Sequence, residues 1–559
     1  MTLLAGGLVL SAFALTVLGS AVIDLSTFLL SHQDRWLLLV ETLMLFVIGE
    51  RLGSRTKPLS MSTGLLVVAS LLLVLFCYFG HIWILSSYDL SRDEQMAVFD
   101  SQIFAAGRRV QPLPAFWQQH LGALNTLYMP PVERPVAWVS AYLPGNAFLR
   151  ALVGRVVDPA FTGPLLTAGG LVALYKCARL LWPKEREAAI IACLLYLTSG
   201  QIIFAGMTAF AMPAHLTFNL VWLWLFLLRR WQADLAALLI GFIATGLHQL
   251  LFHPLFAAPF LVLLLAERAW LRLCLYGMGY ALISLFWLCW PSWTHALVAG
   301  PHSIIASTGA DYWSQLKLML AATIDARWID MAANLLRFAA WQNLLLIPLM
   351  IAGAVGAWRD RIAAALLASL LILIVLMALI IPFQGNGFGY RYLHGTMGSA
   401  ILLAVYGWRR LRAEQAILRV LLLRSTVVGF VIVMPLQAWM AHDSYSAFAK
   451  VERRVAASGV DYFAVGGEDT SFSGDLVINR SDLTNRPVRL FADALQLPFI
   501  AQLCASRPRI GLPTTRLLHP INAYFGAPSD PRADRRLVTL APTLTAAGCT
   551  VVPVDGPPD

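Results

Sequence analysis

The stretch SSYDLSRDEQMAVFDSQIFAAGRR, residues 86–109, is where a strongly apolar N-terminal part of the chain first gives way to a long polar segment. It directly follows an apolar run near 61–85 that is long enough to cross a bilayer. The adjacent acids Asp93 and Glu94 therefore fall just beyond the predicted membrane surface. Carboxylates are costly to place near hydrocarbon, and in membrane proteins they tend to mark ion, proton or substrate chemistry. This segment is the first candidate for a functional site.

The composition is that of a polytopic membrane protein. The chain has 559 residues, of which 58% are hydrophobic and only 13% are charged, and its mean hydropathy is +0.69. The net charge of +10 does not indicate a nucleic-acid partner, because the lysines and arginines fall in short clusters between apolar runs. Such clusters orient a protein in a membrane, so membrane lipids are the expected surroundings and nucleic acid is not an expected partner.

Apolar runs close to the length that spans the hydrocarbon core recur as far as residue 441. We predict an all-α polytopic bundle of about thirteen transmembrane helices. Their approximate ranges are 3–24, 35–50, 61–85, 160–182, 187–205, 212–228, 234–251, 254–267, 271–290, 341–358, 362–382, 394–408 and 423–441.

The charges of the connecting loops predict the orientation of this bundle. Lysine and arginine are concentrated in alternate loops, beginning with Arg51, Arg55 and Lys57, and the intervening short loops almost lack them. Because cytoplasmic loops carry the excess of positive charge, the N-terminus is predicted to be cytoplasmic. The segments then predicted to lie on the outer side are loops 86–159 and 291–340, the Gly-rich loop near 383–393, and the C-terminal tail.

The first outer loop has the pattern of amphipathic helices. Apolar and polar residues alternate at helical spacing over 93–106. The loop also contains aromatic residues suited to a membrane interface, namely Trp117, Tyr128, Trp138 and Tyr142. We therefore expect helices that lie on the membrane surface in this loop.

The composition changes again near residue 443. We predict a transmembrane domain over 1–442 and a small α/β domain of the outer side over 443–559. Within the tail, a helix is predicted at 492–505. Strands are predicted at 461–467, 475–480, 487–491, 509–513 and 550–554.

The tail contains only two of the seven cysteines, Cys504 and Cys549. An oxidising compartment would allow a disulfide between them. The sequence equally allows two buried thiols on separate elements.

Two interpretations of Asp93 and Glu94 follow from their position alone. Transfer of a sugar to a hydroxyl needs a base for the acceptor proton or a carboxylate that stabilises an oxocarbenium-like centre. Alternatively, both acids cap the loop helix, since carboxylates are favoured in the first turn. Position does not decide between these interpretations.

A resemblance to a known family favours the first interpretation. The pattern Asp93-Glu94, followed by Ala106-Gly107 and Pro112, resembles the first outer loop of the GT-C glycosyltransferases, which include protein O-mannosyltransferases and the aminoarabinose transferases of lipid A. The segments YLPGNAFLRALVGRVV (142–157), ALYKCARLLWP (173–183) and GFGYRYLHGT (387–396) are similar to later stretches of bacterial members. Taken together in this order, the patterns cover roughly residues 60–410.

The resemblance implies a GT-C type membrane bundle in a bacterial inner membrane. It implies transfer of a sugar, with inversion, from a polyprenyl-phosphate-linked donor to a hydroxyl of a glycan, lipid or protein acceptor on the periplasmic side. The carboxylate corresponding to the family's base is Asp93, and Glu94 would position the acceptor or a metal ion. The sequence departs from the pattern in having two apolar runs before the one that leads into the loop, and in lacking the Lys-Pro-Pro motif of the aminoarabinose transferases.

Two arginines are candidates for binding the donor phosphate. Arg391 follows glycines that let the backbone approach a ligand, and a guanidinium makes forked contacts with phosphate. It could instead extend from a helix end to the interface. Arg134, in Glu133-Arg134-Pro135, is a second candidate, or else an interface anchor.

Several further residues could line a substrate site. They are Tyr390, Tyr392, His394, Asp311, His248 and His253. For His248 and His253 the alternative is hydrogen bonding inside the helix bundle, and no third ligand completes a metal site with them. The cofactor is therefore unknown; a divalent metal is compatible with the sequence but not required by it.

A different class of protein, a transporter or lipid flippase, would use Asp93 and Arg391 as gating charges. Transporters tend to have repeated halves and broken helices near the membrane midplane. No internal repeat is found here, and the candidate charges fall at one surface. A non-catalytic partner in envelope assembly is the third interpretation, and it would tolerate loss of both charges.

Overall fold

The computed structural model describes residues 2–18, 24–50, 59, 62–132, 134–300 and 324–556. It is mostly helical. In the N-terminal half the α-helices are Thr2–Leu18, Leu25–Leu29, Arg35–Gly49, Thr63–Trp83, Arg92–Ala105, Ala115–Gln119, Gly145–Val153, Thr162–Leu181, Arg186–Leu197, Gly200–Ala205, Met212–Leu227, Trp231–Thr245, Phe252–Ala266 and Trp270–Ala299. In the C-terminal half they are Ile324–Ala340, Leu346–Gly356, Arg361–Ile380, Met397–Arg410, Gln415–Val428, Met434–Ala456, Leu497–Cys504, Thr515–Tyr524 and Arg532–Ala546.

Helices of membrane-spanning length and apolarity run through the bundle, as expected of a multi-pass membrane protein. Within the described part of the chain, five are long and apolar enough to cross a membrane: Thr63–Trp83, Pro159–Leu181, Trp270–Ala299, Arg361–Ile380 and Gln415–Ala456. Five shorter apolar helices of 10–17 residues lie at other predicted spans. The count of about thirteen spans stays a prediction.

The predicted span 187–205 is interrupted. One helix ends at Leu197, and a short helix, Gly200–Ala205, begins after Ser199, whose side chain accepts a hydrogen bond from the backbone N–H of Ile202. A serine at this position stabilises a new helix start rather than continuation of the old helix. The break places Gln201 in the buried interior, where it becomes part of the site described below.

The expectation of surface helices in the first outer loop is wrong for its main helix. In Arg92–Ala105, Met96, Phe99 and Ile103 are buried, and they belong to a cluster that also contains Leu490 and Leu512 of the C-terminal tail. Helical spacing of apolar residues shows that one face is covered, but it does not distinguish lipid from protein as the cover. Here the cover is protein: the rest of the same loop, where the ring of Trp138 lies 4.9 Å from that of Phe99, together with the tail.

The tail contains a small parallel sheet. Two strands outside the tail, β1 (Gln111–Pro112) and β2 (Ala137–Trp138), form a separate antiparallel pair in the first outer loop. The strands of the tail are β3 (Tyr462–Val465), β4 (Val488–Phe491), β5 (Arg509–Pro513) and β6 (Thr550–Val554). Their order is β4-β3-β5-β6, all pairs are parallel, and helices connect the last strands.

One predicted strand does not form. Residues 475–480 were expected to be extended, but Ser473–Leu476 is a 3-10 helix and no strand follows it before β4. The backbone carbonyls of Gly474, Asp475 and Val477 accept hydrogen bonds from side chains of the first outer loop instead of from a neighbouring strand. A strand cannot form where its ladder acceptors are already engaged in this way. Of the tail's predicted helix 492–505, only Leu497–Cys504 is α-helical.

The core of the tail is continuous with that of the bundle. Val460, Phe463 and Leu518 lie in the same hydrophobic cluster as bundle residues such as Trp222 and Leu402. The tail therefore packs directly on the bundle, and the division at residue 442 stays a prediction.

The two cysteines of the tail are joined. Cys504 and Cys549 form a disulfide with a Cα–Cα distance of 4.8 Å, and the other five cysteines are free. We expect mass spectrometry of unreduced, alkylated protein to recover one cross-linked peptide pair containing Cys504 and Cys549. The predicted outer-side placement of the tail would put it in an oxidising compartment, where such a bridge persists. Reduction before alkylation should release both peptides. Recovery of both residues as alkylated thiols without reduction would contradict the bridge and weaken the outer-side placement.

Candidate active site

A cavity of about 590 Å³ lies between the first outer loop, the Gly-rich loop and the tail. Its charged lining residues are Arg92, Asp93, Arg391 and Asp475. Apolar side chains from the end of helix Arg361–Ile380 and the segment after it also line the cavity. The cavity therefore offers charged groups and a hydrocarbon-compatible wall to one ligand, which is the character of a site for an amphipathic molecule.

An ion pair between two predicted site residues forms part of the wall. The Nη1 of Arg391 lies 2.6 Å from Oδ2 of Asp93, and each side chain is 12% exposed. The other carboxylate oxygen, Oδ1 of Asp93, accepts a hydrogen bond from the hydroxyl of Tyr142. Both oxygens of Asp93 are thus engaged, one on the arginine side and one on the tyrosine side.

The start of helix Arg92–Ala105 fixes Asp93. Ser91 and Glu94 form a capping box, in which the Ser91 hydroxyl accepts from the backbone N–H of Glu94 and the Glu94 carboxylate accepts from that of Ser91. Glu94 is fully buried, also accepts a hydrogen bond from Tyr445 at 3.0 Å, and does not line the cavity. The capping interpretation therefore describes Glu94, whereas Asp93, one residue earlier, faces the cavity.

The two acids differ in their electrostatics. Burial by itself raises the pKa of Asp93, but the Arg391 guanidinium, together with the hydrogen bond from the Tyr142 hydroxyl, more than offsets burial and leaves this pKa below its usual value. Burial, with the nearby charge of Asp89, raises the pKa of Glu94 to about 8. Asp93 is therefore ionised at neutral pH, and Glu94 is largely protonated.

The Gly-rich loop that presents Arg391 is held by amide side chains. The Gln384 side chain accepts from the backbone N–H of Arg391 at 2.9 Å and donates to the carbonyl of Gly389 at 2.9 Å. Gln201 donates to the carbonyl of Tyr390 at 2.8 Å. Gly385 and Gly389 have φ of +66° and +62°, which residues with a Cβ rarely adopt.

A buried ion pair anchors the same loop from the bundle. Arg337 Nε lies 2.7 Å from Oδ2 of Asp34, and both side chains are fully buried. A second nitrogen of Arg337 donates to the carbonyl of Gly387 at 2.8 Å, and Trp341 donates to Asp34 at 2.9 Å. The pair thus links the helices around residue 34 and Ile324–Ala340 to the loop that carries Arg391.

The predicted lining residues separate into two groups. Tyr392 and His248 line the cavity. The ring of His248 lies 4.0 Å from that of Tyr142, and burial lowers the pKa of His248, which leaves it neutral. The guanidinium of Arg391 lies 5.2 Å from the ring of Tyr392.

The remaining predicted site residues do not line the cavity. Tyr390 and His394 are buried behind the loop. His253 bonds to Asn219 and Tyr280, both at 2.7 Å, and is a hydrogen-bonded residue of the bundle interior. Arg134 is exposed and away from the cavity wall, and Asp311 lies outside the described residues.

The lining residues that were not predicted as site residues include Arg92, Tyr142, Phe472 and Asp475. Arg92 directly precedes Asp93 and is 6% exposed; a search of the residues beside the acidic pair would have found it. Tyr142 was noted in the sequence only as an interface aromatic residue and as the first residue of a family-like segment. Phe472 and Asp475 are far away in the sequence and gave no signal.

Tyr142 also faces a second cavity. This space of about 830 Å³ is lined by Tyr142, by Arg108, Arg109 and Arg155, and by an aromatic wall that includes Trp290. Tyr142 thus lies between the two cavities, with its hydroxyl on Asp93.

A metal site is not evident in the part of the chain that the structure describes. No three His, Cys, Asp or Glu side chains converge there in a way that could hold an ion. The side chains that contact the Asp93 carboxylate are those of Arg391 and Tyr142.

Comparison with solved structures identifies the fold. The crystal structure of ArnT from Cupriavidus metallidurans bound to undecaprenyl phosphate is similar, with a TM-score of 0.52, 12% sequence identity, and coverage of 74% of this chain and 84% of that chain. The chain has the GT-C glycosyltransferase fold. No family model matches the sequence, and no curated protein matches it significantly.

Two further structures are similar to a lesser degree. The apo form of the same ArnT has a TM-score of 0.45 and 12% identity, over 75% of this chain and 84% of that chain. The apo oligosaccharyltransferase from Archaeoglobus fulgidus has a TM-score of 0.43 and 11% identity, over 89% of this chain and 65% of that chain.

The Asp34–Arg337 pair of this GT-C fold is expected to act as a positioning element. Arg337→Met leaves a buried carboxylate without its partner, which typically costs about 3–5 kcal/mol of stability. The double variant Asp34→Leu/Arg337→Met removes both charges and should recover much of that loss. It still lacks the contact to Gly387, so amide hydrogen exchange in the loop that carries Arg391 should remain faster than in wild type. Thermal unfolding and hydrogen exchange measure the two effects.

The exposed pair of Arg229 and Glu267 provides the control. Arg229→Met removes a surface ion pair of the same 2.7 Å length. Such a change typically alters stability by less than about 1 kcal/mol. Equal losses of stability in Arg229→Met and Arg337→Met, or hydrogen exchange of the loop unchanged from wild type in the double variant, would refute the positioning role.

Proposed function

We propose that the protein is a membrane glycosyltransferase that transfers a sugar from a polyprenyl-phosphate-linked donor to an acceptor hydroxyl. The observation that carries the proposal is the ion pair of Asp93 and Arg391 in the wall of a cavity that is also lined by apolar side chains. An ionised carboxylate can accept the proton of a hydroxyl, and a guanidinium can hold a phosphate. A lipid-linked donor needs both groups beside a hydrocarbon-compatible surface.

The donor phosphate binds at Arg391 in this proposal. Its Nη1 contacts Asp93 and the carbonyl of Asn386, whereas no acceptor among the described residues engages its Nη2. Because Arg391 lines the cavity, a phosphate there can bind the guanidinium while the ion pair persists. Arg92, which hydrogen-bonds to Gln95 and two backbone carbonyls and has no carboxylate partner in the described chain, adds positive charge to the same cavity. Undecaprenyl phosphate, the ligand of the similar ArnT structure, has the chemistry that these groups select.

The acceptor approaches from the tyrosine side. Arg391 holds Oδ2 of Asp93 on the donor side, so Oδ1, now bonded to Tyr142, is the oxygen available to an acceptor hydroxyl. The hydroxyl proton moves to Asp93 as the acceptor oxygen bonds to the anomeric carbon. The bond from that carbon to the phosphate oxygen breaks, and the lipid phosphate leaves as an anion held by Arg391. Attack opposite the leaving phosphate inverts the anomeric carbon.

Glu94 supports this chemistry indirectly. Its bonds to Ser91 and Tyr445 fix the helix start that carries Asp93. We therefore assign it a positioning role and no direct contact with the acceptor or a metal ion.

We further propose that the site faces the periplasm of a bacterial inner membrane. The loop charges favour a cytoplasmic N-terminus, and the disulfide of the tail is of the kind found in oxidising compartments. On this proposal the tail forms a periplasmic α/β domain that closes one side of the cavity.

Asp93→Asn should abolish most of the transfer activity. The amide keeps the shape but cannot take a proton, and loss of a general base typically costs roughly 10²–10⁴-fold in rate. The measurement is sugar transfer by purified protein in detergent with a panel of polyprenyl-phosphate sugars and acceptors. Glu94→Gln is the matched control on the same helix, since glutamine also completes a capping box, and its effect should be small. Normal transfer by Asp93→Asn at normal expression would exclude Asp93 as the base.

Arg391→Lys and Arg391→Ala should separate charge from geometry. Lysine keeps the charge but loses the forked contact, so partial activity is expected. Alanine should weaken donor binding and slow the chemical step together, because the contact strengthens as charge develops on the phosphate. Arg134→Ala, which removes an exposed arginine away from the cavity, should leave both parameters unchanged. Equal donor KM and kcat in wild type and in the three variants would exclude Arg391 from the donor site. Absence of sugar transfer by all four proteins would favour a transporter.

A further inference from the structure

The tail places a second carboxylate in the cavity. Asp475 and Phe472, from the loop that starts the 3-10 helix Ser473–Leu476, line the same cavity as Asp93 and Arg391. Asp475 follows Asp93 by 382 residues in the sequence, so only the folded chain brings the two acids to one cavity. The proposed transfer reaction, as formulated above, does not use Asp475.

Side chains of the first outer loop hold the Asp475 loop in place. Asn125 donates to the carbonyl of Gly474 at 2.7 Å, Gln95 to that of Asp475 at 2.9 Å, and Arg92 to that of Val477 at 3.0 Å. Gln95 and Arg92 belong to the helix that also carries Asp93. The position of the Asp475 backbone is therefore fixed relative to Asp93 by hydrogen bonds that do not involve the Asp475 side chain.

The Asp475 carboxylate itself is left available. In the described part of the chain no hydrogen-bond donor or ion-pair partner contacts its oxygens, in contrast to Asp93, whose two oxygens are both occupied. A partly buried carboxylate without donors is unfavourable, and a ligand that supplies hydroxyl donors would reduce this cost. The residue thus has the properties of a binding group rather than of a structural one.

The ligand group that reaches Asp475 follows from the donor's covalent structure. This step rests on the proposed function. The phosphate of the donor lies on Arg391, whose guanidinium contacts Asp93, and the sugar is joined to that phosphate directly. The sugar must then occupy the cavity volume that Asp93 and Asp475 share. Its outward groups are hydroxyls, which donate to carboxylates in short, charge-assisted hydrogen bonds.

We propose that Asp475 is a sugar-binding residue, which accepts hydrogen bonds from hydroxyls of the glycosyl group that the lipid phosphate donor carries. The tail is then part of the donor site: Asp475 recognises the sugar, whereas Arg391 binds the phosphate. Asp475 contacts substrate without exchanging a proton with the reacting atoms.

The test compares binding of two lipids by the full-length protein in detergent. The probes are undecaprenyl phosphate and the same lipid carrying a single sugar, chosen from a mannose, glucose and galactose series as the one that wild type binds most tightly. Asp475→Asn should weaken binding of the sugar-bearing lipid by about ten- to hundredfold, the effect of losing charge-assisted hydrogen bonds. Binding of bare undecaprenyl phosphate should not change. Asp475→Glu keeps the charge on a longer side chain and should recover part of the difference.

Two controls separate this effect from folding and from the proposed function. Asp482→Asn changes an exposed carboxylate of the same tail, bonded only to its near neighbours Thr484 and Arg480, and should leave both affinities unchanged. Arg391→Ala should weaken both lipids, because it removes the phosphate contact. If Asp475→Asn weakens both lipids equally, or neither, the sugar-binding role is overturned while the proposed function stands. If wild type binds neither lipid, the proposed function itself fails.

The pH dependence of sugar recognition gives a second measurement. Burial raises the pKa of Asp475 to about 7, with the charge of Arg92 opposing this shift and that of Asp93 adding to it. The other ionisable groups coupled to it, Tyr88 and Tyr128, have pKa values raised above their usual range and stay neutral. The ionised form accepts hydrogen bonds better, so the preference of wild type for the sugar-bearing lipid should grow as pH rises from about 6 to 8. Asp475→Asn should show no such growth, and an identical pH profile in the two proteins would overturn the proposal.

Discussion

The ion pair of Asp93 and Arg391 is the contact on which the arrangement of the site depends. It joins the start of the first outer loop to a loop 298 residues later in the chain, at 2.6 Å and with little exposure to water. Removing two charges from water is unfavourable unless their geometry is fixed and their remaining hydrogen bonds are satisfied. The carboxylate meets this condition through Tyr142. The guanidinium meets it in part, because Nη1 also donates to the carbonyl of Asn386 while the buried Nε has no partner among the described residues.

Much of the surrounding structure serves to present the two partners. The capping box at Ser91 and Glu94 sets the direction of the helix that carries Asp93. On the other side, Gln384, Gln201 and the Asp34–Arg337 pair bind backbone groups of the Gly-rich loop. Buried polar groups in a bundle of this apolarity would be unfavourable if any were left without partners. Their concentration behind one loop indicates that the loop's conformation is specified in detail.

The tail contributes Phe472 and Asp475 to the wall of the cavity and packs on the bundle. Its hydrophobic residues share clusters with the bundle and with the first outer loop. Its segment 474–477 is not a strand, and its backbone carbonyls accept hydrogen bonds from the side chains of Asn125, Gln95 and Arg92. The cavity is thereby enclosed by elements from distant parts of the chain, and the charges of its wall, two arginines and two aspartates, balance.

The sequence by itself determined the apolar bundle, the positions of most helices, four of the five predicted strands, and the choice of Asp93 and Arg391 as candidate residues. Those features depend on local quantities: run length, hydrophobic period, loop charge and glycine placement. It did not determine that helix Arg92–Ala105 packs against both its own loop and the tail, that Glu94 turns inward to cap while Asp93 faces the cavity, or that Phe472 and Asp475 reach the same site. A helical period identifies a covered face but not what covers it, and neighbouring acids differ by about 100° in direction around a helix. Which residues meet across hundreds of positions is decided by packing and by buried hydrogen bonds, and these exist only in the tertiary structure.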